Sequence, residues 1–207
     1  MSPLTDDEKR FLLRLARRSV EACVRSEKRE QPPEVPPRLE TPGGAFVSLH
    51  ERGNLRGCIG YVQTIHPLYR AVMEAAEAAA LRDPRFPPVQ TAELPRLALE
   101  ISVLSPFRRV RPEEIKVGIH GLMITERGAR GLLLPQVALE HHWERERFLE
   151  ETCRKAGLPR DAWQRGAKIE AFTAEVFSEE PLAGEEPKNS AGAIPVLPHR
   201  PDKSPPG

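Results

Sequence analysis

Cysteine, aromatic residues and long apolar runs are what this chain has little of, and each scarcity removes a class of protein. The 207 residues include three cysteines, Cys23, Cys58 and Cys153, widely spaced and without a Cys-x-x-Cys. That argues against a disulfide framework, a Cys-rich zinc site and a locally ligated iron–sulfur cluster. Aromatic residues make up 5% of the chain, and no aromatic-basic platform for nucleic acid is present. Lys and Arg total 31 against 30 Asp and Glu, a formal net charge of +1. Bulk electrostatics therefore gives no reason to expect a nucleic-acid or membrane partner. No apolar run approaches the roughly 18 residues a membrane helix needs. The segment Met1 to Arg10 is charged and lacks the apolar stretch of a secretory signal, so a cytoplasmic protein is expected. The chain carries no phosphate loop, no dinucleotide fingerprint after a strand and no Ser-based nucleophile elbow.

What remains, at 39% hydrophobic and 29% charged residues, is enough to bury a core in one domain of ordinary size or one with a small subdomain. Thr5-Asp6-Asp7-Glu8 reads as a capping box opening a helix to about Ser26, and Cys23 lies on its apolar stripe. Gln31 to Pro42 contains five prolines and reads as an extended connector. Two short strands follow within Ala45 to Val62, joined by a turn at Glu51-Arg52-Gly53-Asn54 in which Gly53 and Asn54 can take positive φ. Pro67 suits the first position of a helix reaching Leu81, whose many alanines allow close packing on a sheet. Asp83-Pro84-Arg85-Phe86-Pro87-Pro88 ends that helix abruptly. Leu97 to Leu104 alternates as a strand, and Glu100 on its face needs a partner. Leu122–Thr125 and Gly131–Leu134 form a hairpin, a helix runs from about Val137 to Ala156, and Ile169 to Phe177 reads as one strand. Pro181 to Gly207 has too few apolar anchors to offset its ordering entropy, and a loosely tethered tail is expected there. Hairpins rather than βαβ units dominate, so the fold class is α+β, a mostly antiparallel sheet flanked by helices.

The stretch with most chemical content is Leu55-Arg56-Gly57-Cys58-Ile59-Gly60. Strict alternation places Leu55, Gly57 and Ile59 on a core face and Arg56, Cys58 and Gly60 on the other. A thiol beside a guanidinium is pushed toward thiolate, and glycines in a strand mark a close approach to its backbone. Cys58 is then either a nucleophile or redox thiol, activated by Arg56 with His120 as base, or a small buried strand residue. Arg56 either anchors an anion or pairs with Glu100 or Asp83. His120, bracketed by Gly118 and Gly121, is a general base or a loop histidine with a structural hydrogen bond. Asp83 and Arg85 shape a substrate rim or lock the helix-ending turn. Gln136 contacts a ligand or caps the helix after Pro135. His142 with Glu146, and Glu140 with Glu144, lie four apart on the expected helix, but with no third ligand nearby no metal site is assigned.

These segments, in this order and together with Gly118-Ile119-His120-Gly121-Leu122 and Leu132-Leu133-Leu134-Pro135-Gln136-Val137-Ala138, resemble the AMMECR-type family, named for a human protein of the Alport syndrome, midface hypoplasia and elliptocytosis region. The resemblance covers about Thr5 to Glu179 and implies a single domain over residues 1–180, with residues 181–207 as a Pro/Gly-rich tail. It implies a larger and a smaller subdomain with a cleft between them, and association with Memo-like and radical-SAM proteins. It implies no established activity and no known cofactor. Two functions follow as expectations. One is an enzyme acting on a small molecule or nucleotide through Cys58, His120 and Arg56. The other is a non-catalytic ligand- or protein-binding module. In either, Gly57, Gly60, Asp83, Arg85, Glu100 and Gln136 are the expected ligand-binding residues.

Overall fold

Thr5 begins the structure's first helix as the sequence suggests. Its hydroxyl accepts from the Glu8 amide at 3.2 Å while the Glu8 carboxylate accepts from the Thr5 amide at 2.7 Å, and α1 runs Asp6–Val24. The computed structural model describes residues 3–28, 31–62 and 66–179; the tail expected over 181–207 lies outside the described residues. Two compact units make up the chain. One is Pro3–Val103 together with 176–179, the other Leu104–Glu175.

β1 (Ala45–Glu51), β2 (Asn54–Tyr61), β3 (Leu97–Leu104) and β8 (Ala174–Ser178), which belong to the first unit except for Leu104, Ala174 and Glu175, form a sheet in the order β2-β1-β3-β8. Helix α2 (Leu68–Leu81) packs on β1 and β2, and α1 packs on α2. Val47, Leu49, Ile59, Leu99 and Ile101 share an apolar cluster with Val72, Ala75, Ala76 and Ala79, none of these nine more than 1% exposed. The close packing depends on Gly57: a Cβ there would lie 2.2 Å from the Ala79 carbonyl oxygen. Pro67 proves to be the residue before the helix rather than its first.

In the second unit, β4 (Arg108–Arg109), β7 (Lys168–Phe172), β5 (Gly121–Glu126) and β6 (Ala129–Leu133) form a second sheet in that order. Its apolar cluster includes Leu122, Ile124, Phe148, Leu149, Cys153 and Ile169. The architecture is α+β, with the β1–β2, β1–β3, β4–β7, β5–β6 and β5–β7 pairs all antiparallel. Among the described residues no helix is long and apolar enough to cross a membrane.

Four local expectations are corrected. The β1–β2 turn carries positive φ at Arg52 (51°) and Gly53 (74°), not at Asn54, because Glu51 and Asn54 close the hairpin as its last pair and both central residues must be left-handed. The expected strand Ile169 to Phe177 divides at Thr173 into β7 and β8, which belong to different sheets. The expected helix Val137 to Ala156 is two helices, α3 (Pro135–Glu140) and α4 (Arg145–Lys155). His142 between them has φ of 52°, and its ring neighbours do not continue the helix: His141 and Trp143 stack at 4.6 Å between centroids. The four-residue spacings from Glu140 to Glu144 and His142 to Glu146 therefore do not sit on one helix face. Among the described residues no group of three or more His, Cys, Asp or Glu is arranged to hold a metal.

Candidate functional site

Pairing between β1 and β2 slips at one point. Leu49 faces Gly57 and His50 faces Leu55, leaving Arg56 as the extra residue of a bulge. Counting back from the turn would set Ser48 opposite Gly57; the bulge moves it opposite Cys58. This corrects the expectation that Arg56 and Cys58 stand side by side through simple alternation. Leu55, expected in the core, pairs with His50 and is only half-buried.

The Arg56 guanidinium turns to Glu93. Nε donates to Oε1 at 2.7 Å and Nη2 to Oε2 at 3.2 Å, while Nη1 donates to the Pro87 carbonyl at 2.9 Å. Arg56 thus pairs with neither Glu100 nor Asp83, and its charge is answered within the fold. The Arg56 hydrogen bond is the main reason that Glu93 is held below its ordinary carboxylate range. Glu93 was not legible as a site residue. Its only sequence signal is a position three after Gln90, whose amide it accepts at 2.6 Å in the 3-10 turn Thr91–Arg96.

Cys58 lies on the edge strand with 1% exposure. Its backbone points outward, and the helix-ending turn supplies what a missing neighbour strand would. The Cys58 amide donates to Asp83 Oδ2 at 2.8 Å and the Cys58 carbonyl accepts from Arg85 Nη2 at 3.2 Å. Asp83 and Arg85 also bind each other, with Arg85 Nη2 donating to Oδ2 at 2.7 Å and Nε to Oδ1 at 3.0 Å. The pair clamps the sheet edge, a device that prevents further strand pairing. Burial alone would raise the Asp83 carboxyl. The Arg85 hydrogen bond and the Cys58 and Arg85 amides outweigh it and carry the group below its ordinary range. Asp83 and Arg85 thus hold the strand edge and each other.

The thiol itself accepts a hydrogen bond from the Ser48 hydroxyl at 3.0 Å. Burial is the largest influence on it. The Ser48 hydrogen bond and the Arg85 charge pull its pKa down, Asp83 and Glu100 push it up, and the thiol ends raised to about 11. Cys58 is therefore a protonated thiol at neutral pH. The expectation of a thiolate promoted by Arg56 is corrected, since desolvation outweighs every nearby positive charge. Both glycines of the stretch have internal reasons as well. Gly57 admits α2, and a Cβ at Gly60 would lie 2.2 Å from the Phe46 ring.

His120 and Gln136 belong to the other unit. His120 is 7% exposed, its Nδ1 accepts from the Lys116 amide at 3.2 Å, and its own amide donates to the Lys116 carbonyl at 2.9 Å. Burial, then the charges of Arg108 and Lys116, hold the ring below the usual histidine pKa, so it is neutral with its proton on Nε2. Both contacts tie His120 back to Lys116. Gln136 is the second residue of α3 and does not cap it; Leu134 precedes the helix without a side-chain cap.

Glu100 differs from the charged residues around it. It is half-buried on β3, directly across from Ser48, and its carboxylate makes no hydrogen bond or ion pair with the described residues.

Comparison with known proteins gives one consistent answer. Residues 13–177 match the model of the AMMECR1 family. "Protein PF1979" of Pyrococcus furiosus is 45% identical over 193 residues, covering 87% of this chain and 92% of its own length. "Protein TK0174" of Thermococcus kodakarensis is 47% identical over 193 residues, with 87% and 94% covered. The crystal structure of an uncharacterised protein, PH0010 from Pyrococcus horikoshii, superposes with a TM-score of 0.77 at 43% identity, covering 86% of this chain and 94% of that one. The chain belongs to the AMMECR1 family.

Proposed function

We propose that this protein is a non-catalytic binding module, recognising a ligand or a partner through the polar face of its first sheet, rather than an enzyme working through Cys58. The observation that carries this reading is the state of the Cys58 surroundings. The thiol is sealed and protonated, and the charges of Arg56, Asp83 and Arg85 are each answered inside the fold. A nucleophile needs access and a thiolate, and this arrangement favours neither. Memo-like and radical-SAM proteins, which the family resemblance implies as associates, are the first partners to test, in a cytoplasmic setting.

The test is site-resolved alkylation with iodoacetamide at pH 8, read by peptide mass spectrometry on folded and urea-unfolded protein. A thiol raised to about 11 is expected to react roughly a hundredfold more slowly in the fold than in the unfolded chain. Labelling of folded Cys58 as fast as that of the unfolded chain would overturn the reading. Capture of a Memo-like or radical-SAM protein that persists with Cys58→Ser is the matching positive result.

A further inference from the structure

The first sheet's two faces differ in kind. Ala45, Val47 and Leu49 of β1 enter the apolar cluster, so Phe46, Ser48 and His50 lie on the opposite face. Three rows cross the sheet there: Gly60–Phe46–Ser102, Cys58–Ser48–Glu100 and Leu55–His50–Ala98. Toward β2, polar groups are matched, with the Ser48 hydroxyl donating to Cys58 Sγ. Toward β3 they are not. The Glu100 carboxylate makes no hydrogen bond or ion pair with the described residues, and the hydroxyl of Ser102, a residue 6% exposed, makes none either. His50 Nε2 is fully buried without a hydrogen-bond partner. Ser102 and Glu100 are two apart on one strand face, a separation of roughly 7 Å. His50 is the diagonal neighbour of Glu100 across β1 and β3.

The Glu100 carboxylate has no counter-charge among the described residues, and with the Ser102 hydroxyl it offers two neighbouring groups with open acceptor capacity to one complementary guest, while His50 Nε2, with no accessible surface, borders them. We propose that Glu100, flanked by Ser102 and His50, is the anchor for a nitrogenous cation: a guanidinium or a protonated primary amine. The positive charge answers Glu100. The forked N–H groups of a guanidinium, or the three of an ammonium, supply donors to the carboxylate and to Ser102 Oγ. This rests on the binding-module reading and names its ligand class. The same head group occurs on free small amines and on Arg or Lys side chains of a partner.

The experiment is isothermal titration of the full chain at physiological ionic strength with butylguanidinium, n-butylammonium, the end-capped peptide Gly-Gly-Arg-Gly-Gly and, as the neutral control, butyramide. Saturable binding of one equivalent is expected for the cations and none for butyramide. The tighter of butylguanidinium and the peptide identifies a free small molecule or a partner side chain as the source. Glu100→Gln is expected to weaken binding at least about tenfold and Ser102→Ala about threefold. Circular dichroism checks the fold of each. Should E100Q not fold, Glu100→Asp, which keeps the charge but withdraws it by one methylene, is expected to weaken binding severalfold. No saturable cation binding to wild type, or binding that the Glu100 variants leave unchanged, overturns the proposal. Failure here with folded Cys58 still unreactive removes the ligand class alone. A reactive Cys58 with cation binding intact removes the non-catalytic reading alone.

Discussion

Two sides of one strand make the sharpest contrast in this protein. From Ser48 on β1, the neighbour toward the sheet edge is Cys58 and the neighbour toward the interior is Glu100. On the Cys58 side every charge is answered at hydrogen-bonding distance: Arg56 by Glu93, Asp83 by Arg85, and the outward peptide groups of Cys58 by that same pair. On the Glu100 side a carboxylate, a hydroxyl and an imidazole nitrogen share a face without partners among the described residues. The difference teaches that a chemically dense stretch of sequence can be dense because the fold needs it. Two glycines admit a helix and a ring, and the Asp-Pro-Arg turn replaces a missing strand. The proposed capacity to hold a guest lies on the far side of β1, at Glu100, which the sequence already marks as needing a partner, and at Ser102, which it does not.

The most severe way to break the matched side is Asp83→Asn. The new amide keeps the shape but sets an N–H₂ against the Cys58 amide or the Arg85 fork, both donors. The expected loss is about 2–4 kcal/mol in urea unfolding at pH 7. The sign with pH follows from the direction of the shift. A carboxyl held below its ordinary value in the fold contributes stability that is fully present above about pH 3.9, the unfolded value, and is lost as pH falls through the folded one. Wild type and D83N should therefore converge in acid. Equal stability at pH 7 would mean that the clamp does not hold the edge.

A smaller effect belongs to Arg56 and Glu93. Both side chains are mostly buried, at 12% and 17% exposure, and the contact is two-pronged. A double-mutant cycle with Arg56→Ala and Glu93→Ala is expected to return a coupling of about 1–2 kcal/mol, above that of a solvent-exposed pair. Zero coupling would return Arg56 to the pool of free cations and reopen its reading as an anion anchor.

Much of the framework was legible because local chemistry determined it. The Thr5 capping box, the alternation of β3 and the alanine face of α2 each act within a few residues. Both hairpins turn on the same tripeptide, Glu51-Arg52-Gly53 and Glu126-Arg127-Gly128, with positive φ at the Arg and the Gly. What was not legible depends on distant partners or on a single irregular residue. The bulge at Arg56 shifts pairing by one and breaks the alternation on which the thiol–guanidinium pair was inferred. His142 adopts a left-handed backbone that divides a periodic segment. Thr173 gives its flanking residues to two sheets. The site suffered most, because Glu93 is separated from Arg56 by 37 residues and nothing local links them. Desolvation of Cys58 is likewise a property of packing, invisible in a strand pattern.

The smallest effect is the most discriminating. Glu100→Gln removes a charge that no described group balances, so stability in urea should stay within about 0.5 kcal/mol of wild type or rise slightly. The same kind of change, carboxylate to amide, is thus expected to be damaging at Asp83 and nearly silent at Glu100, although both residues influence the Cys58 thiol. If E100Q instead cost as much as D83N, Glu100 would be holding the fold together through a contact of its own, and the two sides of β1 would not differ in kind. If it is silent for folding while abolishing cation binding, the carboxylate is retained for what it meets from outside, and the asymmetry across Ser48 separates a structural half of the sheet from a recognising one.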